Sequence, residues 1–252
     1  MPEICCSSLD EAWLRAVQVA CNSQRHEVSP LTVAFDAARR EPTPEFAGLR
    51  GALNKSLEAS DCATVETVAN TLFPYSLWNP SRNREHLFQR YFRILPALRR
   101  FNKRGLYFER LISYPDSREA VRKNQLDHIV ETFTSGIHRR SGLQAAVFYP
   151  PKDLVGTPQL GFPCLHQVAF AHNQARGTLT ITGFYPMQYL FQRAYGNYLG
   201  LARLGEFMAK EMKLRLERVV CFAGIAQLEI AARQVHPLLS RFLPSRERKV
   251  GA

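Results

Sequence analysis

The amino-acid sequence predicts an α+β protein in which helices dominate the first half and paired strands the second. Apolar residues recur at helical spacing up to about residue 134, whereas short apolar runs and strict alternation follow residue 143. Helices followed by paired strands are typical of the α+β class. A chain of 252 residues can bury one substantial core, so we expect one main domain.

The first 60 residues are predicted to form a helical N-terminal extension. Residues 8–11, Ser-Leu-Asp-Glu, have the pattern of a capping box at the start of a helix. The apolar residues of that helix share one face: Leu9, Trp13, Ala16, Val17 and Ala20. Residues 23–60 are polar and interrupted by prolines, which predicts loops and short helix.

The middle of the chain predicts two more helices. Residues 83–97 carry one apolar stripe, and residues of about 117–134 carry another. The two stripes are Leu87, Phe88, Tyr91, Phe92 and Leu95, and then Leu126, Ile129, Val130 and Phe133.

Strands are predicted from residue 143 onward. Residues 143–149 form a compact apolar run, and the prolines and glycine within 150–156 predict a loop. Residues 164–170 and 178–185 predict the two strands of a hairpin with its turn at 172–177. A long amphipathic helix containing Tyr198 and Met212 follows, and a last short strand is predicted at 218–222.

The net charge of +11 favours anionic partners, either nucleic acid or small molecules that carry phosphate or carboxylate. No basic run is interleaved with aromatic residues, so nucleic acid is the less supported of the two. The basic residues near the C-terminus also fit a solvated surface. The clusters are Arg99, Arg100, Lys103 and Arg104; Arg139 and Arg140; and Arg241, Arg246, Arg248 and Lys249.

The sequence predicts a cytoplasmic protein without a membrane span. The N-terminus lacks the basic and apolar regions of a signal peptide, and no stretch reaches the roughly 18 apolar residues of a transmembrane helix. The six cysteines are then expected to be reduced thiols. None stands in a Cys-x-x-Cys motif, and no metal site is predicted.

Cys164 is the candidate nucleophile among these cysteines. It follows a proline and a long loop at the start of a predicted strand, where a side chain can face a cleft. His166 would point to the same face of that strand. The His166 imidazole, or Arg139 and Arg140, could lower the pKa of the thiol. A small buried core residue is the alternative interpretation, because most free cysteines have that role.

A series of short motifs surrounds Cys164. Pro163-Cys164-Leu165 precedes residues 177–181 (Gly-Thr-Leu-Thr-Ile), residues 196–201 (Gly-Asn-Tyr-Leu-Gly-Leu) and residues 206–209 (Glu-Phe-Met-Ala). This order resembles the catalytic half of thymidylate synthases and pyrimidine hydroxymethylases, and Pro-Cys-Leu is most similar to their archaeal-type and divergent members. The resemblance covers residues 62 to 230 approximately and is best over 160–212.

The resemblance implies a fold and a reaction. The fold would be thymidylate-synthase-like, a large mixed sheet flanked by helices that forms a homodimer through the sheet. The catalytic domain would cover residues 61–235, with a basic tail at 236–252. In this family the cysteine thiolate adds to C6 of a pyrimidine, and C5 then attacks 5,10-methylenetetrahydrofolate. Cys164 would be the nucleophile, and Asn197 would hydrogen-bond the pyrimidine edge.

Two alignments with the family are possible after Cys164. In the preferred one the arginine that binds the nucleotide phosphate becomes Pro186, and the next serine becomes Met187. In the other one residues 191–194, Phe-Gln-Arg-Ala, match the family's Tyr-Gln-Arg-Ser phosphate motif, but a long insertion is needed. A proline cannot replace a guanidinium, so the preferred alignment implies a substrate other than a standard deoxynucleotide monophosphate.

Further site residues follow from the same resemblance. The catalytic glutamate is either kept as Glu66 or replaced by Asn70, and Asn70 is the preferred match. Trp78 would line the cofactor pocket. Substrate-binding positions would be Asn197, His166, Tyr189, Gln227 and Glu229, together with Arg139 and Arg140 as a pair supplied across the dimer.

The leading functional hypothesis is therefore methylation or hydroxymethylation at C5 of a pyrimidine-like heterocycle. One alternative is a cysteine-nucleophile enzyme of the same fold that no longer uses folate, with Glu229 or His166 carrying protons. The other is a basic, non-catalytic protein that binds nucleotides or nucleic acid.

Overall fold

The structure is a computed structural model that describes residues 2–37, 44–102, 106–115, 123–136, 139–154, 156 and 164–243. Several sequence-based expectations concern residues outside these ranges. They are the start of the predicted helix at 117–134, the Gly-Phe-Pro segment before Cys164, and most of the predicted basic tail.

The described chain is an α+β protein built on one seven-stranded mixed sheet, as predicted for the class. The strands are β1 (Glu3–Cys6), β2 (Glu27–Val28), β3 (Leu31–Asp36), β4 (Gln144–Ala146), β5 (Gln167–Asn173), β6 (Thr178–Tyr189) and β7 (Arg215–Gln227). Their order in the sheet is β1-β3-β7-β6-β5-β4, and the short β2 also pairs with β7. The β1–β3 and β6–β7 pairs are parallel and the others antiparallel.

Some of the helices follow a residue whose side-chain oxygen satisfies a free backbone N–H group. Ser8, Thr64, Asn83 and Asn124 each accept a hydrogen bond from the backbone three residues later, which stabilises the first turn. The helices are α1 (Leu9–Asn22), α2 (Leu49–Glu58), α3 (Val65–Leu72), α4 (Arg84–Phe101), α5 (Tyr107–Ile112), α6 (Gln125–Thr134), α7 (Pro150–Asp153), α8 (Tyr195–Glu211) and α9 (Ala232–Phe242).

The prediction of a helical extension over residues 1–60 is wrong. β1 and β3 belong to the central sheet, where β3 pairs with β1 on one side and β7 on the other. β3 was missed because four of its six residues are buried, three of them in succession, so its sequence lacks the alternation of a half-exposed strand. The boundary at residue 236 also falls inside α9.

The predicted hairpin and long helix are confirmed. β5 and β6 pair antiparallel from Gln167 opposite Phe184 to Asn173 opposite Thr178. α8 follows β6, and β7 returns parallel to it. β7 is longer than the predicted 218–222 strand. Its first residues were missed because several of them are charged and hide the alternation of apolar and polar residues that is typical of a strand.

The helices that contact the sheet lie on one of its faces. A Cβ atom on Gly183 of β6 would stand 2.8 Å from Leu201 of α8, so α8 covers the face of Ile181 and Gly183. α1 contacts α8 and covers β1 and β3 from the same side. Residues on the opposite face stay partly exposed: Thr180, Thr182, Phe184, Val220 and Phe222.

α3 packs against α8 at unusually short range. A Cβ atom on Gly196 would stand 2.5 Å from the Cβ of Val68, and one on Gly200 would stand 2.7 Å from the Cβ of Leu72. Both distances are below van der Waals contact, so only glycine fits at these positions. This contact sets the position of α8, and therefore of the residues at its beginning.

Gly200→Ala is expected to destabilise the fold by about 1–3 kcal/mol, because the added methyl group overpacks the contact with Leu72. Urea unfolding measures the change. Gly51→Ala is the matched control, since nothing lies within 4 Å of its Cβ position in α2. It is expected to gain about 0.5–1 kcal/mol from helix propensity. Equal effects of the two substitutions would contradict the close packing.

Candidate functional site

The candidate site lies where the carboxyl ends of β6 and β7 meet. Because these strands are parallel, their ends share one edge, and Tyr189 stands opposite Gln227 in the register. α8 begins just beyond β6 and places Asn197 there. β5 runs antiparallel to β6, so its beginning, and Cys164 before it, lie at the same edge. The topology thus brings four predicted residues to one end of the sheet.

Tyr107 holds Cys164 in place. The backbone N–H of Cys164 donates to the Tyr107 phenol oxygen at 3.2 Å, and the same phenol hydrogen-bonds the Cys164 side chain. Tyr107 is the first residue of α5. A single hydroxyl therefore fixes both the backbone and the sulfur of the candidate nucleophile.

Two opposing influences act on the Cys164 thiol. Burial raises its pKa above the usual value, because the thiolate loses solvation. The Arg193 guanidinium and the Tyr107 hydrogen bond act in the opposite direction, without outweighing burial. The predicted activators His166, Arg139 and Arg140 are not among these influences. Arg193 lies close enough to act on the pKa of Tyr107 as well.

Arg193 belongs to a π-helical turn, residues Leu190–Ala194, that joins β6 to α8. Such turns are rare and are found frequently at functional sites. The neighbouring side chains of Leu190, Phe191 and Ala194 are buried, whereas Arg193 is exposed. The carboxylate of Glu229 accepts hydrogen bonds from the backbone N–H groups of Phe191 at 3.3 Å and Gln192 at 2.6 Å.

A layer of buried polar groups lies beneath Cys164. Tyr185 is fully buried, and its hydroxyl has no hydrogen-bond partner among the described residues. It is near Cys164, Tyr107 and Cys221, and burial raises the pKa of its phenol. The hydroxyl of Tyr198 donates to Gln188 at 3.4 Å in the same layer. These groups supply hydroxyls on the inner side of the site.

His166 packs on aromatic rings beside the site. Its ring stacks on Phe148 with centroids 4.5 Å apart and meets the edge of Phe184 at 6.1 Å. Burial lowers its pKa, and the nearby Asp153 carboxylate opposes that shift. β5 begins only at Gln167. The strand alternation that placed Cys164 and His166 on one face therefore does not apply to them.

Asn197 lies inside the first turn of α8 and is 2% exposed. The N-cap of the helix is Ala194, so Asn197 does not cap it. The reason is the π-helical turn, which carries helical backbone on from β6 without a break. Asn197 follows Gly196, the residue whose missing side chain lets α3 approach.

Neither proposed carboxylate position contacts Cys164 in the described structure. Asn70 is exposed on α3. Glu66 binds Arg203 at 2.7 Å and Arg50 at 3.0 Å, and these hydrogen bonds, Arg203 first, lower its pKa. Glu66 is thus an ionised partner in a network that joins α2, α3 and α8. A general acid or base at this position is not supported.

Trp78, Arg139 and Arg140 also lie apart from the thiol. The Trp78 ring packs edge-on against Phe73 at 5.7 Å and Phe207 at 6.0 Å. Arg140 donates to the carbonyl of His172 at 2.6 Å, near the end of β5 away from Cys164. Arg139 is exposed just before it.

Sequence reasoning missed Tyr107 and assigned Arg193 to the less favoured alignment. Tyr107 carries no local signal, because 57 residues separate it from Cys164 and only the fold brings them together. Arg193 did have a signal, the Phe-Gln-Arg-Ala motif. The preferred alignment, with Pro186 in place of the phosphate-binding arginine, gave Arg193 no role.

The described residues contain neither a metal-binding cluster nor a membrane-spanning helix. No group of three or more His, Cys, Asp or Glu side chains there could hold a metal ion. No helix in the described ranges is both long and apolar enough to cross a bilayer.

Comparison with models of known protein families found no match, and no significant match was found among curated proteins. The chemistry of the site must therefore be inferred from its own groups. They are a thiol, a phenol that hydrogen-bonds it and a guanidinium near enough to lower its pKa, groups of the kind that stabilise a thiolate and the negative charge of an addition intermediate.

Tyr107→Phe is expected to raise the pKa of the Cys164 thiol, because it removes a hydrogen bond that favours the thiolate. Alkylation of Cys164 by iodoacetamide should then be slower at neutral pH by about threefold or more, and its pH profile should move to higher pH. Peptide mass spectrometry measures the rate at Cys164. Tyr114→Phe, which removes a hydroxyl bonded to the Phe148 carbonyl, is the control. An unchanged profile in Tyr107→Phe would refute the contact.

Proposed function

We propose that the protein uses the Cys164 thiolate to add to C6 of a pyrimidine-like ring and so activates C5 for methylation or hydroxymethylation. The observation that carries this proposal is the hydrogen bond between Cys164 and Tyr107 where β6 and β7 end, with Arg193 near enough to act on the pKa of the thiol. The motif resemblance around Cys164 supports the reaction type.

The addition step balances within the ring. The thiolate forms an S–C6 bond, and the electron pair of the C5=C6 double bond moves to C5 and the C4 carbonyl oxygen. The resulting enolate carries negative charge, and Arg193 is the guanidinium that we propose stabilises it. C5 can then take a proton from solvent or attack a one-carbon electrophile. When C5 has taken a proton from solvent and the addition then reverses, C5 can lose its original proton. The C5 proton is thereby exchanged with solvent.

Arg193 changes the expectation for the substrate. The exclusion of a nucleotide monophosphate rested on Pro186 in place of the phosphate-binding arginine. The Arg193 guanidinium is exposed, and no described carboxylate pairs with it. It can bind a phosphate or carboxylate through charged hydrogen bonds. The proposed substrate class therefore includes pyrimidines with an anionic group, alongside free bases and nucleosides.

Methylenetetrahydrofolate, the one-carbon donor implied by the resemblance, stays a prediction, with Trp78 as the residue expected to line its pocket. The Trp78 ring packs against Phe73 and Phe207 and is partly exposed. We assign no step to folate. The second candidate function is a cysteine-nucleophile enzyme of the same fold that does not use folate, since the addition of the thiolate at C6 does not itself need it.

We also propose a thymidylate-synthase-like fold and a homodimer formed through the open face of the sheet. Phe184 and Phe222 stack there at 5.8 Å, and Phe184 is 38% exposed in the single chain. Thr182 and Val220 extend this patch across β6 and β7. A second copy of the same face would cover it. In this dimer Arg139 and Arg140 would contribute to the substrate site of the second copy, as the resemblance implies.

Proton exchange at C5 tests the proposed addition. The protein is incubated in heavy water with uracil, cytosine, their deoxynucleosides and their monophosphates, and NMR follows the C5 proton. We expect loss of the C5 signal for at least one compound, faster at higher pH because burial raises the pKa of Cys164. Cys164→Ala should abolish exchange.

Cys221→Ala is the matched control, since Cys221 is a buried thiol on β7. Exchange that persists in Cys164→Ala would refute the nucleophile. Binding of a nucleotide without exchange of any compound would favour the non-catalytic alternative.

Phe184→Glu is expected to convert a dimer into a monomer, because it places a charge in the patch that the second copy would cover. Light scattering after size exclusion should show a mass near twice 28.7 kDa for the unchanged chain and near 28.7 kDa for the variant. Phe92→Glu is the control, because Phe92 is similarly exposed on α4 at 43%. A monomeric unchanged chain would contradict the dimer.

A further inference from the structure

We propose that Glu229 is a positioning residue whose carboxylate holds the π-helical turn Leu190–Ala194 in the conformation that brings Arg193 to Cys164. The inference rests on the proposed role of Cys164 as nucleophile but not on the identity of the substrate. It assigns Glu229 a task different from the substrate contact and the proton transfer expected from the sequence.

The hydrogen bonds of Glu229 carry the inference. One carboxylate oxygen accepts from the Gln192 N–H at 2.6 Å and the other from the Phe191 N–H at 3.3 Å. N–H groups at the start of a helical segment have no partner within the helix, and an acidic side chain there also interacts favourably with the helix dipole. Glu229 reaches them from the segment just after β7.

A second contact holds the same turn from its other side. The indole N–H of Trp13 donates to the Leu190 carbonyl at 2.8 Å, and both residues are fully buried. Trp13 thus binds a carbonyl of the turn, whereas Glu229 binds its N–H groups. With Phe191 and Ala194 also buried, the exposed Arg193 is carried by backbone that is fixed at several points.

The geometry disfavours Glu229 as a freely acting acid or base. Burial raises the pKa of its carboxyl, and the N–H groups of Gln192, Phe191 and Leu190, with its own, oppose that shift. Both oxygens are turned toward the backbone of the turn. In Glu229→Gln one oxygen becomes an NH₂ donor, which cannot accept from a backbone N–H. The turn then loses one of its two anchors at this position.

The test compares the pH profile of Cys164 alkylation in four proteins: the unchanged chain, Glu229→Gln, Arg193→Gln and the double variant. No substrate is needed, so the result is independent of the C5 exchange experiment. We expect Arg193→Gln and Glu229→Gln each to slow alkylation at neutral pH by about threefold or more and to move the profile to higher pH. The double variant should be no slower than Arg193→Gln alone, because both changes remove the same interaction.

Glu217→Gln is the matched control. Glu217 is also a carboxylate of β7, but it binds Thr178 and Arg176 at the opposite end of the strand. It should leave the profile of Cys164 unchanged. A Glu229→Gln protein that loses thermal stability but keeps the original profile would overturn the proposal, and so would additive effects in the double variant.

Folding is checked by far-UV circular dichroism. If Glu229→Gln does not fold, Glu229→Asp is judged by the same criteria, since it keeps the charge but withdraws the carboxylate by one methylene group. Amide hydrogen exchange of the unchanged chain gives a further readout. Fast exchange at Phe191 and Gln192 would show that the two hydrogen bonds do not persist and would overturn the proposal.

Discussion

The parallel pairing of β6 and β7 is the constraint on which the candidate site depends. Parallel neighbours cannot be joined by a tight turn, so the chain must cross over through α8 before it enters β7. Both strands consequently end at one edge, where α8 also begins. Tyr189, Asn197 and Gln227 reach that edge through this connection. The antiparallel β5 then brings Cys164 to it.

The chemistry of that edge is a balance between desolvation and local polarity. Burial favours the neutral thiol of Cys164, whereas Arg193 and Tyr107 favour its anion. A thiol kept mainly neutral is poorly reactive toward oxidants, because the thiolate is the reactive form. Reactivity then depends on small changes in the position of a phenol and a guanidinium. Both come from segments other than the one that carries the cysteine.

Sequence patterns predicted the elements with one exposed side better than the buried ones. The alternation of β6 was visible, because one face of the strand packs on the core and the other is partly exposed. β3 is buried at most positions, and β7 begins with charged residues that pair with others nearby, such as Glu217 with Arg176. Neither strand shows the expected period in full. Single residues near Cys164 were harder still, since Tyr107 joins it only in three dimensions and a π-helical turn has no sequence signature.

The π-helical turn makes the position of Arg193 sensitive to the number of residues between β6 and α8. The bonds of such a turn span five residues rather than four. Removal of one residue there would rotate the residues on one side of the change by roughly 100°, the angle between successive helical residues. Because β6 and α8 are held by their own packing, the turn itself would have to absorb that rotation, and the buried Leu190, Phe191 and Ala194 would move together with Arg193. A one-codon deletion would therefore alter both the core and the position of the arginine relative to the cysteine.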